Sequence, residues 1–252
     1  SFGIGPITGF GSIVVNGVHY DETSATVIDD DGQAASRSAL ALGMVVEVNG
    51  GPVSTAADGV TLNATATQVR LQRALVGPAS AVDAAAGRLQ VLGQVVAVSA
   101  DTVFGSGLAG GLPAVANGQL LEVYGFYDAS RMAFNATHIG TAPTGATWRI
   151  SAPVASIDGA QTFTLGNQRF AGATSGLSVG STVRLTLQTQ PDDSGRFQVS
   201  SQRADDKPPE EREGAGLDGV VASVVSATRF VVNGVTVDSS TAQVKGSVTV
   251  GA

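Results

Sequence analysis

Two histidines, two aspartate-rich turns, a repeated glutamate and a single tryptophan are the residues whose types could do chemistry. A Ser-His-Asp site needs a base oriented by a carboxylate. Nothing beside His19 or His138 in the sequence marks either one that way. The run Asp29-Asp30-Asp31-Gly32 offers the clustered oxygens that calcium takes. It lacks the alternating ligands and closing glutamate of an EF-hand loop, so it reads as a solvated hairpin tip. Asp192-Asp193-Ser194-Gly195 reads as a turn. Paired carboxylates do acid–base work only when both face one cleft. Glu47 and Glu122 sit between apolar residues (Val46 and Val48, Leu121 and Val123), and that alternation puts each on a solvent-facing side of its strand. Trp148, Tyr20, Tyr124, Phe126 and Tyr127 are candidates for a stacking surface. Without a basic groove beside them, a core or inter-module contact is the simpler reading. Asn63-Ala64-Thr65 and Asn135-Ala136-Thr137 are glycosylation sequons in form. There is no cysteine, which removes disulfides, thiolate chemistry and cysteine zinc sites. These readings lead us to expect no catalytic residues, no metal site and no cofactor.

The elements that would position these residues come from a repeat. Phe10-Gly11-Ser12-Ile13-Val14-Val15-Asn16-Gly17-Val18-His19-Tyr20-Asp21 is echoed at Phe230-Val231-Val232-Asn233-Gly234-Val235-Thr236-Val237-Asp238. Gly43-Met44-Val45-Val46-Glu47-Val48-Asn49-Gly50 is echoed at Gly118-Gln119-Leu120-Leu121-Glu122-Val123-Tyr124-Gly125. The sequons coincide within the same repeat, so an architectural cause is the simpler one for them. Asn16-Gly17 accepts positive φ at both central positions and closes a two-residue hairpin. Strand signals in the first copy are Ile13-Val15, Val18-Tyr20, Ala25-Ile28, Met44-Val48 and Thr61-Val69. No segment has a convincing helical period. The pattern predicts an all-β chain of tandem five- to six-stranded barrels or sandwiches. The modules span 1–71, 72–145, 146–203 and 216–252, the last of them incomplete, with a charged, proline-containing linker at 204–215.

Composition narrows the partners. Only 14% of residues are charged and the formal net charge is −7. Two of the 14 basic residues are lysines (Lys207 and Lys245), and the basic residues are scattered. Nucleic-acid binding needs a clustered basic face, so none is expected. No stretch reaches the roughly 18 apolar residues of a membrane helix. A chain opening at Ser1 without an apolar leader fits a mature, exported protein or a fragment.

The segments Gly5-Pro6-Ile7-Thr8-Gly9-Phe10-Gly11-Ser12-Ile13-Val14-Val15-Asn16-Gly17-Val18 and Leu42-Gly43-Met44-Val45-Val46-Glu47-Val48 resemble a bacterial family of exported tandem β modules labelled only as a domain of unknown function. The resemblance is good over the first unit, moderate over the second and fourth, and weak over the third. It implies small barrels of the oligonucleotide/oligosaccharide-binding type, carried behind a signal peptide or lipid anchor. It supplies no catalytic residues.

The expectation for function is a non-catalytic structural or interaction protein, exported to the cell surface, extracellular space or periplasm. Its partners would be other copies of itself, with attachment to the envelope. The incomplete fourth module would expose an open sheet edge, a template for another strand. Phe2, Ile4 and Ile7 are the expected donor residues, and Val248 and Val250 lie at the expected acceptor. The alternative expectation is a ligand-binding module for a small molecule, glycan or cation.

Overall fold

The computed structural model describes residues 1–204, 215–217, 221–232 and 235–250. It divides into two compact units, Ser1–Arg73 with Glu210–Gly219, and Ala74–Pro209 with Val220–Ala252. Among the described residues the regular elements are strands and three short 3-10 turns.

The first unit holds β1 (Phe2–Pro6), β2 (Ile13–Val15), β3 (Val18–Asp21), β4 (Thr26–Ile28), β5 (Val45–Gly50), β6 (Ser54–Thr55) and β7 (Leu62–Leu71). The Asn16-Gly17 turn has φ of 53° and 75° and joins β2 to β3 as an antiparallel hairpin, as its residue types require. β3 runs parallel to β7, β7 antiparallel to β5, and β5 antiparallel to β1. A bridge between Gly9 and Val14 returns the chain from β1 to β2 and closes a five-stranded barrel. Ile7, Ile13, Val15, Tyr20, Val46, Val48 and Val69 are buried in this unit.

The second unit repeats this closure twice. Its first barrel is built from β8 (Leu75–Asp83), β9 (Arg88–Val91), β10 (Gln94–Ala97), β11 (Val103–Phe104), β12 (Leu120–Asp128) and β13 (Ala133–Thr141). The order β8-β9-β10-β13-β12-β8 closes with β10 parallel to β13. The next is built from β14 (Arg149–Ile157), β15 (Thr162–Leu165), β16 (Gln168–Ala171), β17 (Thr182–Pro191) and β18 (Phe197–Ala204). It closes in the same order, with β16 parallel to β18. The two barrels are joined edge to edge, because the start of β14 also pairs with β8 through Arg149–Val76 and Ile150–Leu75. One hydrophobic core runs through both, with Leu75, Leu121, Phe134, Phe163 and Phe170 fully buried.

One glycine recurs for a geometric reason. In β12 the pairing with β13 slips by a residue at Tyr124/Gly125, and in β5 the pairing with β7 slips at Asn49/Gly50. A Cβ on Gly125 would lie 2.2 Å from the Asn135 carbonyl oxygen, and one on Gly50 would lie 2.5 Å from that of Thr65. At these two positions the slip brings backbone onto backbone, so a side chain would clash. In β17 the equivalent residue is Leu187, which makes the same one-residue slip, from Ser201 to Val199, and a second departure follows it. Leu187 faces Val199 and Pro191 faces Phe197, so residues 188–190 stand opposite Gln198 alone.

The last strands are β19 (Ala215–Leu217), β20 (Val221–Ser226), β21 (Arg229–Val232) and β22 (Val235–Asp238). β19 pairs in parallel with β1 in the first unit. β20, β21 and β22 form a separate three-stranded antiparallel sheet. The linker expected at 204–215 falls mainly on residues 205–214, outside the described ones. Its two ends, Ala204 and Ala215, are strand residues.

Two placements alter the expected strand exchange. Phe2–Pro6 is a strand of its own barrel, paired along its length with β5, and Ile4 and Ile7 are buried. The partner strand lies some 40 residues away, which local pattern does not reveal. Val248 and Val250 lie in no strand. A strand needs a ladder partner, and among the described residues none stands beside them.

Candidate functional site

The outer face of β12–β13 gathers an acid, a phenol and an imidazole. Glu122 stands opposite Gly140, and Tyr124 opposite His138. Gly140 has no side chain, so both neighbours lean over it. A Cβ there would be 3.3 Å from Glu122 Oε1 and 3.4 Å from His138 Nε2. The rings of Tyr124 and His138 meet edge to face at 5.7 Å, a favoured aromatic geometry. Such a trio has the groups of an acid–base site, but Tyr124 is 0% and His138 2% exposed. A general base must come within hydrogen-bond reach of a substrate proton, and burial denies that reach. The cluster is a packed polar seam.

His19 has a partner that the sequence reading missed. Ser12 Oγ lies 3.3 Å from His19 Nδ1, across the β2–β3 hairpin. This is a hydroxyl beside a base, the beginning of a nucleophile pair. Among the described residues no carboxylate hydrogen-bonds the ring, and the Glu22 carboxylate accepts the Ile13 N–H at 3.2 Å. Nothing therefore orients the imidazole as a triad would. The signal was present: Ser12 and His19 sit diagonally across the two-residue Asn16-Gly17 turn.

The acidic candidates resolve into structural contacts. Asp30 is 1% exposed and forms an ion pair with Arg73, while Asp29 Oδ1 accepts the N–H groups of Asp31 and Gln33 at 2.9 and 2.8 Å. This corrects the solvated-tip reading: the loop is clamped onto the end of β7. Glu47 is also buried, against expectation. It faces Arg70 across the ladder and accepts the amides of Asn49 and Gln72 at 3.4 and 3.3 Å. β5 lies between two paired strands, and long neighbouring side chains roof its outer face. Asp192 closes a turn, accepting Ser194 N and Arg196 N and pairing with the Arg196 guanidinium at 2.8 Å. The backbone N–H of Arg196, with the hydrogen bond from its guanidinium and the N–H of Ser194, holds that carboxyl below its usual range. Among the described residues, no group of three or more histidine, aspartate or glutamate side chains is arranged to hold a metal ion.

The aromatic candidates do not share a surface. Tyr20 and Tyr124 are buried, and Tyr127 packs edge to face on Phe134 at 5.1 Å. Trp148 differs. It is half-buried and borders a cavity of about 340 Å³ between the two joined barrels, with the Leu92-Gly93 turn, residues 189–191 and Phe197 around it. Behind it runs a column of rings. Trp148 meets Phe197 at 6.2 Å, Phe197 stacks on Phe170 at 5.9 Å, and Phe170 on Phe163 at 6.0 Å.

No curated protein and no solved structure matches the chain. A family model does: the domain of unknown function DUF5666 matches twice, over residues 4–66 and 76–140. Those spans coincide with the first two barrels and take in half of the 252 residues. The recurring bulge glycines Gly50 and Gly125 fall one in each. The chain belongs to the DUF5666 family, with at least two tandem copies of its domain.

Proposed function

We propose that this is a non-catalytic structural or interaction protein, exported and self-associating, in which a strand from a second copy adds to the sheet β20–β21–β22. One contrast inside the chain carries the reading. In the three closed barrels the third strand (β3, β10 or β16) is covered by a parallel final strand. The equivalent β22 pairs only with β21 among the described residues. Ladder alternation decides which groups it leaves open. Ser239 N donates to Thr228 O, so with two-residue alternation Thr236 and Asp238 turn their backbone groups away from β21. That row is a template for strand addition. The other edge, β20, is interrupted by two register shifts, which blunt it. The added strand is therefore expected beside β22, running parallel to it. Because Phe2–Pro6 is already paired with β5, the donor is expected elsewhere in the partner copy.

The experiment is light scattering across a concentration series. The expected result is a mass that rises above the 25.2 kDa monomer. Thr236→Pro removes one outward N–H without touching the β21–β22 bonds and should return the chain to monomer with unchanged circular dichroism. A wild-type monomer at every concentration rejects the proposal. The cysteine-free composition is compatible with export, and export and envelope attachment are part of the proposal. Fractionation of the source cells tests them, and recovery in the cytosol would reject them.

A further inference from the structure

We infer that the cavity beside Trp148 is a binding site for a neutral saccharide, stacked on the indole ring. The inference is independent of self-association. It begins with two places where this part of the chain abandons the repeat, one on each wall of the cavity.

The first is Leu92. The first barrel and the last sheet carry Asn-Gly in the hairpin, at Asn16-Gly17 and Asn233-Gly234. Here the first turn residue is leucine at φ 52°. A branched apolar residue in the left-handed region is strained, by about 1–3 kcal/mol. The neighbours are arranged to hold it. Leu92 is 2% exposed, and a Cβ on Gly77 would collide with its side chain at 2.7 Å. The same left-handed backbone occurs at Ala81 and Met132; at Leu92 it lies beside a cavity, and such strain gathers at functional sites.

The second is the β17 bulge. Past the one-residue slip that all three barrels share, β17 alone makes a second departure, with residues 188–190 opposite one residue of β18. That excursion places Thr189, Gln190 and Pro191 on the cavity wall. Bulges of this kind re-aim side chains beside functional sites.

The chemistry of the lining then selects the ligand. Among the described residues it contains no ionisable side chain, so these offer no counter-charge to an ion. Its floor is apolar, formed by Leu92, Trp148 and Phe197. Its rim carries Ser80, Thr189 and Gln190, all exposed. None of these three side chains has a hydrogen-bond partner elsewhere among the described residues. A flat apolar ring surrounded by unpaired hydroxyl and amide groups complements a pyranose, which has C–H faces and an equator of hydroxyls. The volume lies at the lower end of small-ligand pockets. The ring column anchored on Phe163, which is 0% exposed, fixes the platform before binding, and such preorganisation lowers the cost of association.

The test uses the chain's only tryptophan as its reporter. The full chain is titrated with maltotriose, cellotriose, xylotriose and triacetylchitotriose while Trp148 fluorescence is read. At least one should give a saturable shift. Trp148→Phe, followed by calorimetry, should weaken binding of that sugar roughly tenfold, the worth of part of a stacked ring. Thr189→Arg, at an exposed position, should abolish the fluorescence response with an unchanged circular dichroism spectrum. The inference is overturned if none of the four sugars moves the fluorescence, or if the response survives in Thr189→Arg. It is equally overturned if a hexaproline peptide saturates Trp148 and the sugars do not.

Discussion

Replacing Gly125 by alanine tests the barrel geometry most directly, because the cost can be worked from positions alone. The added methyl would sit 2.2 Å from the Asn135 oxygen and 3.0 Å from both Asn135 C and Ala136 Cα. All three are backbone atoms, so no rotamer change relieves the contact. A carbon and a carbonyl oxygen settle at about 3.3 Å or more, so β12 and β13 must part by about 1 Å. A ladder bond near 2.9 Å does not survive that stretch. Two bonds flank the site, each with a net worth of about 1 kcal/mol. Forcing a packed region to shift adds about 1–3 kcal/mol. The expected loss is therefore about 3–5 kcal/mol, a large part of a typical stability of about 5–15 kcal/mol. Urea unfolding followed by circular dichroism measures it. Gly118→Ala is the control, since it has φ +84° with open space around the added Cβ and should cost only about 1–2 kcal/mol of left-handed strain. If Gly125→Ala costs no more than Gly118→Ala, the steric account of the bulge is wrong.

Three further outcomes follow from named contacts. Asp30→Asn removes one carboxylate from Arg73, which stays paired with Asp29 at 3.4 Å, and should destabilise the first unit by about 1.5–3 kcal/mol, read as a lowered midpoint in thermal unfolding. Asp58 accepts the Thr61 hydroxyl and the N–H groups of Val60 and Thr61, which hold its carboxyl down to about 2. Its folded value lies below the unfolded one, so its contribution is intact above roughly pH 4 and is lost as pH falls toward 2; Asp58→Asn should make acid unfolding shallower over that window. Asp128 behaves alike: burial raises it, but the Ser130 hydroxyl with the N–H groups of Ser130 and Arg131 outweighs burial, and Ser130→Ala should move acid unfolding of the second unit to higher pH.

How far the sequence could be read depended on whether the information was local. The hairpins were legible because Asn-Gly turns and two-residue alternation act over a few residues. The meeting of Tyr124 with His138 was not. Counting back from the β12–β13 turn, where Asp128 pairs with Ala133, would set Tyr124 opposite Thr137. The slip at Gly125 moves it to His138 instead, and a one-residue slip exchanges the faces of a strand. Glu47 was misplaced for a related reason. Alternation correctly assigns it to the outer face, but outer means exposed only where nothing roofs the strand, and Arg70, Asn49 and Gln72 do so here. Asp30 needed Arg73, 43 residues away. The closing pairings β1–β5 and β3–β7 likewise span distances that no local pattern reports.

The repeat makes departures from it informative in a chain where composition says little about chemistry. Tandem copies act as internal controls: what Asn16 and the bulge glycines do in one barrel states what the fold requires of those positions. Leu92 gives up the asparagine that its backbone favours, and its neighbour Gly77 leaves room for it. Leu187 stands where two barrels have the bulge glycine, and in a second, separate shift residues 188–190 loop out. Both leucines are buried in the core of the second unit, so packing offsets part of each departure. Both departures also lie at or lead into one cavity, beside the single tryptophan. Reverting either departure should therefore leave the barrels standing while flattening the pocket. Leu92→Asn restores the turn chemistry used elsewhere in the chain and withdraws a buried leucine from beside the cavity. It should keep the circular dichroism spectrum and lose the Trp148 response to sugar, whereas a retained response would separate the strain from the site.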